Sequence, residues 1–123
     1  MKKWNINKLT YLINGAIFEV NRLLGNGFLE KVYENALLIE LRKRELDCQG
    51  QVPIQVTYKG VAVGEYFADI VVNNQVILEL KAVQSLQKIH EAQILNYLKA
   101  TNFKIGMLVN FTHPKAQIKR FIL

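Results

Sequence analysis

Apolar positions recur along the first quarter of the chain at helical spacing: Leu9, Leu12, Ile13, Ile17, Val20, Leu23 and Leu24. One face of a helix that begins near Asn7 would gather them, with Asn7 placed to cap it. The run "GNG", Gly25 to Gly27, ends that helix. A second helical pattern follows through Leu29, Val32, Tyr33, Ala36, Leu37 and Leu41. It closes on "RKRE", where cations in the last turn suit the helix dipole.

The period then falls to two. "QVPIQVTYKG" alternates and ends in a Lys-Gly turn signal, "VAVGEYFADIVV" and "QVILELKAV" continue as strands, and "NN" separates those two. Helical spacing returns in "LQKIHEAQILNYLKA" through Ile89, Ala92, Leu95 and Leu98, with Ile94 on the flank. "KIGMLVNF" predicts a buried strand, and "QIKRFIL" after "HPKA" predicts an edge strand. The order α-α-β-β-β-α-β-β predicts one α+β domain spanning residues 1–123, a mixed sheet with helices packed on it.

Three charges sit awkwardly in that pattern. Asp69 lies inside an apolar strand, and Glu79 and Lys81 lie at the end of the next. Residues two apart on a strand share a face, so Glu79 and Lys81 point the same way. Asp69 joins them only if the intervening loop has odd length or carries a bulge. A two-residue Asn73-Asn74 turn would place Asp69 across from Leu78, whereas a three-residue loop, Asn73 to Gln75, pairs Val72 with Val76 and sets Asp69 opposite Glu79. Two converging carboxylates need a cation, and hard oxygen ligands suit Mg²⁺ or Mn²⁺ better than Zn²⁺. Such an ion activates water and stabilises charge on a phosphate, with a lysine beside it to orient the water. Taken alone, the spacing fits a cross-strand salt bridge between half-exposed residues better than a metal site.

Two helical pairs lie near these charges in the chain. Glu30 and Tyr33 in "GFLEKVY" are one turn apart, as are Gln93 and Tyr97 in "QILNY". Read by themselves, the tyrosines fill core space with hydroxyls at the rim, Glu30 favours the helix dipole, and His90 is structural or solvated.

Composition adds less. Half of the 123 residues are apolar and the formal net charge is +6, which favours a polyanionic partner without naming it. Basic residues gather at Arg42, Lys43 and Arg44, at Lys99 and Lys104, and at Lys115, Lys119 and Arg120. The lone Cys48 excludes an internal disulfide and fits a reducing, cytoplasmic setting as an incidental thiol. No apolar run reaches the length of a membrane span, and "MKKWNINKLTYLINGAIFEV" lacks the clean apolar core of a signal peptide.

Taken together the motifs resemble a known family. "GNGFLEKVYENAL" is similar to the signature of the GxxExxY family, with Gly27, Glu30 and Tyr33 at the named positions. "GEYFADIVV", "VILELKAV", "HEAQILNYLKAT" and "GMLVNF" follow in that family's order. The resemblance covers nearly the whole chain and implies membership of the PD-(D/E)XK nuclease superfamily. It implies a restriction-endonuclease-like αβββαβ core, here with an extra N-terminal helix and a C-terminal strand. By similarity Asp69 and Glu79 are the metal-binding acids, Lys81 the motif lysine, and Glu30 a helical acid assisting the metal. Gln93 and Tyr97 resemble the Q-x-x-x-Y element of RecB-type nucleases, and Tyr33 supports the site. Ala68 stands where the motif's proline would be, a departure common in the superfamily. The implied activity is Mg²⁺- or Mn²⁺-dependent phosphodiester hydrolysis in nucleic acid, DNA being the expected substrate. A homodimer or a targeting partner would compensate for the missing recognition module. The alternatives are a nucleic-acid-binding module that keeps the fold with little cleavage, and an assembly protein working through its amphipathic first helix.

Overall fold

The computed structural model describes residues 5–112 and 114–123. Residues 1–4 and His113, and with them all of "MKKW" and the first residue of "HPKA", lie outside the described residues. The elements are α1 (Ile6–Leu24), α2 (Glu30–Lys43), β1 (Cys48–Tyr58), β2 (Val61–Val72), β3 (Val76–Lys81), α3 (Lys88–Ala100), β4 (Ile105–Asn110) and β5 (Gln117–Ile122). The predicted order therefore holds. The five strands form one sheet in sequence order, antiparallel throughout except for the β3–β4 pair, which is parallel and joined by α3.

Helices cover both faces. On one, α1 and α2 bring Leu9, Ile13, Ile17, Tyr33, Leu37 and Leu41 against Ile70, Leu78, Leu80, Met107 and Val109. The amphipathic first helix thus buries most of its apolar stripe on its own sheet, although Leu23, expected on that face, is exposed. On the other face α3 packs Tyr97 and Leu98 over Ile54, Ala68 and Ile77. No helix among the described residues is long and apolar enough to cross a membrane.

Two expectations are corrected. The cap of α1 is Asn5, whose side chain accepts from the N–H groups of Asn7 and Lys8 at 2.9 and 3.4 Å. Asn7 is already helical, and its carbonyl accepts from the Thr10 hydroxyl. In α3 the inward stripe is Ile94, Tyr97 and Leu98, while Ile89 and Ala92 face outward. Gly106 decides that face: a Cβ there would stand 2.8 Å from Ile94 Cδ1, so only a glycine lets Ile94 settle onto β4.

The loop between β2 and β3 has the required parity. Asn73 and Asn74 both adopt left-handed φ, 54° and 52°, and the Gln75 N–H closes the turn on the Val72 carbonyl at 2.9 Å. Gln75 is then an extra residue before the ladder begins, so Val72 pairs with Val76, Val71 with Ile77 and Ile70 with Leu78. Asparagine tolerates left-handed backbone better than other residues with a Cβ. Asn73 also ties the turn to the α2–β1 connection, donating its N–H to the Asp47 carbonyl at 2.7 Å.

Candidate active site

The β2–β3 ladder stops at Ile70 and Leu78, and side chains replace its next rungs. The Asp69 N–H donates to Glu79 Oε1 at 3.1 Å, and the Leu80 N–H donates to Asp69 Oδ2 at 2.8 Å. The two strands part at this point, leaving a notch with both carboxylates at its apex. The strand pair also bends. Ala68 packs in the α3-side cluster but Ile70 in the α1–α2 cluster, although residues two apart on a regular strand share a face. On β1, Gln51 takes a left-handed φ of 53° between the Gly50–Ile70 and Val52–Ala68 pairs. A non-glycine residue there stores strain of order 1 kcal/mol. The bend turns Asp69 toward Glu79.

Glu79 is 4% exposed and Asp69 is half-buried. Burial, and then the charge of Asp69 beside it, push the Glu79 carboxyl up to about 8. Asp69 is raised as well, first by burial, with the Leu80 N–H opposing and the charge of Glu34 adding to the rise. In the absence of a cation the pair therefore holds a proton near neutral pH. Lys81, on the same face as Glu79, attracts both acids, and its Nζ lies 3.5 Å from Gln93 Oε1. Gln93 in turn donates to the Tyr97 hydroxyl at 2.9 Å. The sequence pairs Lys81–Glu79 and Gln93–Tyr97 thus meet in one chain of contacts. The Tyr97 hydroxyl is itself raised by burial and by the charge of Glu79.

The α2 residues divide. Glu30 Oε2 accepts from the Ala82 N–H at 3.3 Å, just beyond Lys81 at the end of β3. Tyr33 is fully buried, stacks on Phe111, and donates its hydroxyl to the Gly25 carbonyl at 2.7 Å. It braces the α1–α2 connection and reaches the site only through α2. His90 Nδ1 accepts from the Gln87 N–H and completes the start of α3, the structural role expected of it. Cys48 is buried and its thiol is raised by that burial, which keeps it protonated and inert.

Two residues that sequence reasoning missed approach Asp69 from α2 and β1. Glu34, one turn after Glu30 and buried, accepts from Lys31 Nζ at 2.8 Å and from Gln51 Nε2 at 2.8 Å. Gln51 Nε2 also lies 3.4 Å from Asp69 Oδ1, so one amide links the helical acid to the strand acid. The signal for Glu34 was its i+4 spacing from Glu30. The signal for Gln51 appears only once the β1–β2 register sets it across from Asp69. Among the described residues no three His, Cys, Asp or Glu side chains stand close enough to form a complete metal-ligand cluster. A buried and a half-buried carboxylate with shared excess charge nevertheless fit a hard divalent cation that keeps most of its waters.

A mixed sheet covered on both faces, with an acid pair and a lysine where two strands part, defines a restriction-endonuclease-like fold. A model of the PD-(D/E)XK nuclease superfamily matches residues 7–121, and the chain belongs to that superfamily. No curated protein matches it. Among solved structures it is similar to SSO0001, with a TM-score of 0.62 and 17% identity over 75% of this chain and 48% of that one. The chain therefore spans about half the length of SSO0001. It is also similar to the alkaline exonuclease LHK-Exo from Laribacter hongkongensis, at 12% identity over 98% of this chain and 72% of that one, with a TM-score of 0.47.

Proposed function

We propose that this protein is a metal-dependent nuclease of the GxxExxY type that hydrolyses phosphodiester bonds in DNA. The observation that carries the reading is the Asp69–Glu79 pair, Glu79 buried and Asp69 half-buried, held where β2 and β3 part and short of compensating charge. Asp69 and Glu79 would hold Mg²⁺ or Mn²⁺, and the ion when bound would activate a water and stabilise charge on the phosphate. Lys81, steadied by Gln93 and Tyr97, orients the attacking water and offsets charge that develops on the phosphate oxygens. Glu30 and Glu34 flank the site from α2, the first beside the end of β3 and the second through Gln51. The net charge of +6 supports a polyanionic substrate, and a cytoplasmic setting accords with the lone buried thiol.

Calorimetric titration of Mg²⁺ and Mn²⁺ into the wild type and an Asp69→Asn/Glu79→Gln variant tests the site. Saturable binding is expected in the wild type alone, followed by metal-dependent cleavage of DNA that Lys81→Ala abolishes while nucleic-acid binding persists. A folded wild type that binds no metal at millimolar concentration sinks the proposal. The absence of a third converging carboxylate among the described residues favours a second reading, a nucleic-acid-binding module with little cleavage. Wild-type binding without cleavage of any substrate would select it.

A further inference from the structure

A groove of about 700 Å³ opens beside the notch, between α3 and the β1–β2 hairpin. Gln93, which contacts Lys81, and Tyr97, which accepts from Gln93, both line it, so the groove adjoins the site through that chain of contacts. Next to Tyr97 the lining continues with the ring of Tyr66, 50% exposed and tilted against Tyr97 with centroids 5.7 Å apart. Ile89, 70% exposed, adds apolar surface at the mouth. That exposure also explains why the outward face of α3 carries an apolar residue that the core does not use. The amides of Gln55 and Asn96 and the ammonium of Lys99 complete the chemistry, and no carboxylate lines the groove.

Resting on the nuclease reading above, we infer that this groove takes an unpaired nucleotide of the substrate, its base against Tyr66 and its phosphate toward the Asp69–Glu79 notch. A half-exposed aromatic ring in a concave wall can stack only on a base whose face is free, which paired bases in a duplex do not offer. Side-chain amides match the mixed donors and acceptors of base edges. Lys99, at a lining position without an acid neighbour in the groove, suits an adjoining phosphate. The volume lies within the range of small-molecule sites. The substrate class is thus single-stranded nucleic acid, or a duplex with a frayed or unpaired segment at the scissile position.

The test is fluorescence anisotropy on metal-free protein at one fixed ionic strength, with three labelled probes: a short DNA single strand, the same backbone with abasic residues throughout, and the matching duplex. The wild type should bind the base-bearing single strand about tenfold more tightly than the abasic strand, the scale of one base stacked on an aromatic ring. Tyr66→Ala should remove most of that difference. Phe67→Ala, a change at an exposed neighbour that does not line the groove, should leave it intact. Equal affinity of the wild type for abasic and base-bearing strands overturns the assignment, as does tighter binding of the duplex than of the single strand. The abasic comparison needs no variant, so a folding defect in Tyr66→Ala cannot obscure it. Selective binding without cleavage on adding Mg²⁺ would refute the nuclease reading and leave the groove assignment standing.

Discussion

Replacing Glu79 by glutamine should leave the fold unchanged near pH 5 and stabilise it near pH 9. Glutamine keeps the shape and the oxygen that accepts from the Asp69 N–H, and removes only the capacity to ionise. In the folded protein Glu79 holds its proton up to about pH 8, against an ordinary value of 4.5. Between those values the folded state binds a proton that the unfolded chain has released. Wild-type stability therefore falls as pH rises through that window and levels off above it. At about 1.4 kcal/mol per pH unit the gap corresponds to a loss of about 4–5 kcal/mol. Burial to 4% exposure leaves little solvent to screen it, and the loss is a large share of an ordinary folding free energy of about 5–15 kcal/mol. Urea denaturation followed by circular dichroism, with chelator present, across pH 5 to 9 measures it for both proteins. The two stability curves should meet at the acid end and diverge toward the alkaline end, and adding Mg²⁺ at high pH should raise the wild type alone. Parallel curves would mean that Glu79 is already ionised at pH 5. The acid pair would then lack the unmet charge on which the metal site depends.

Gly106→Ala should destabilise the protein by about 1–3 kcal/mol in thermal or urea melts, because the new Cβ would meet Ile94 Cδ1 and Cγ1 at 2.8 and 2.9 Å inside a filled core; adding Ile94→Val should recover part of the loss. Asn73→Ala should cost about 2 kcal/mol, combining a left-handed φ of 54° with the loss of the acceptor for the Asp47 N–H, whereas Asn73→Gly should cost about half as much because glycine takes that φ without strain. Equal losses for the two changes at Asn73 would show that backbone conformation does not matter there.

The meeting of Asp69 and Glu79 was more legible in the sequence than some of the packing. Requiring Asp69 and Glu79 to share a site fixed the parity of a loop that turn statistics leave open, because side-chain direction on a strand alternates strictly. Gln75 supplies that parity. The orientation of α3 was harder to read. Ile89, Ile94, Leu95 and Leu98 are apolar around more than half of the helix, so periodicity alone offers two plausible faces. The decision came from Gly106 on another element, whose missing side chain receives Ile94. The cap of α1 fell at Asn5 rather than Asn7 for a local reason: both are good caps, and which one leaves the helix depends on backbone angles that composition does not encode. Gln51 became visible only through the bend in β1, a tertiary feature without a sequence mark of its own, and it is what links Glu34 to Asp69.

The position of the acids affects how their removal should be interpreted. Asp69 and Glu79 do more than point into a notch: their oxygens accept the Leu80 and Asp69 N–H groups where the β2–β3 ladder gives out. An alanine at either place would strip a buried donor of its partner, at about 1–3 kcal/mol, besides removing a carboxylate. Loss of metal binding or cleavage in such a variant would mix a failing strand end with a missing ligand. Asparagine at 69 and glutamine at 79 retain the accepting oxygens and remove the charge, so they isolate the electrostatic role. The same logic explains why the notch can exist. Two strands that part inside a sheet expose backbone groups that must be satisfied, and the side chains that satisfy them here are the two whose mutual repulsion calls for a cation. Opening the sheet and assembling the acid pair are one structural event, and the bend at Gln51 with the extra residue at Gln75 allows the sequence to accomplish both.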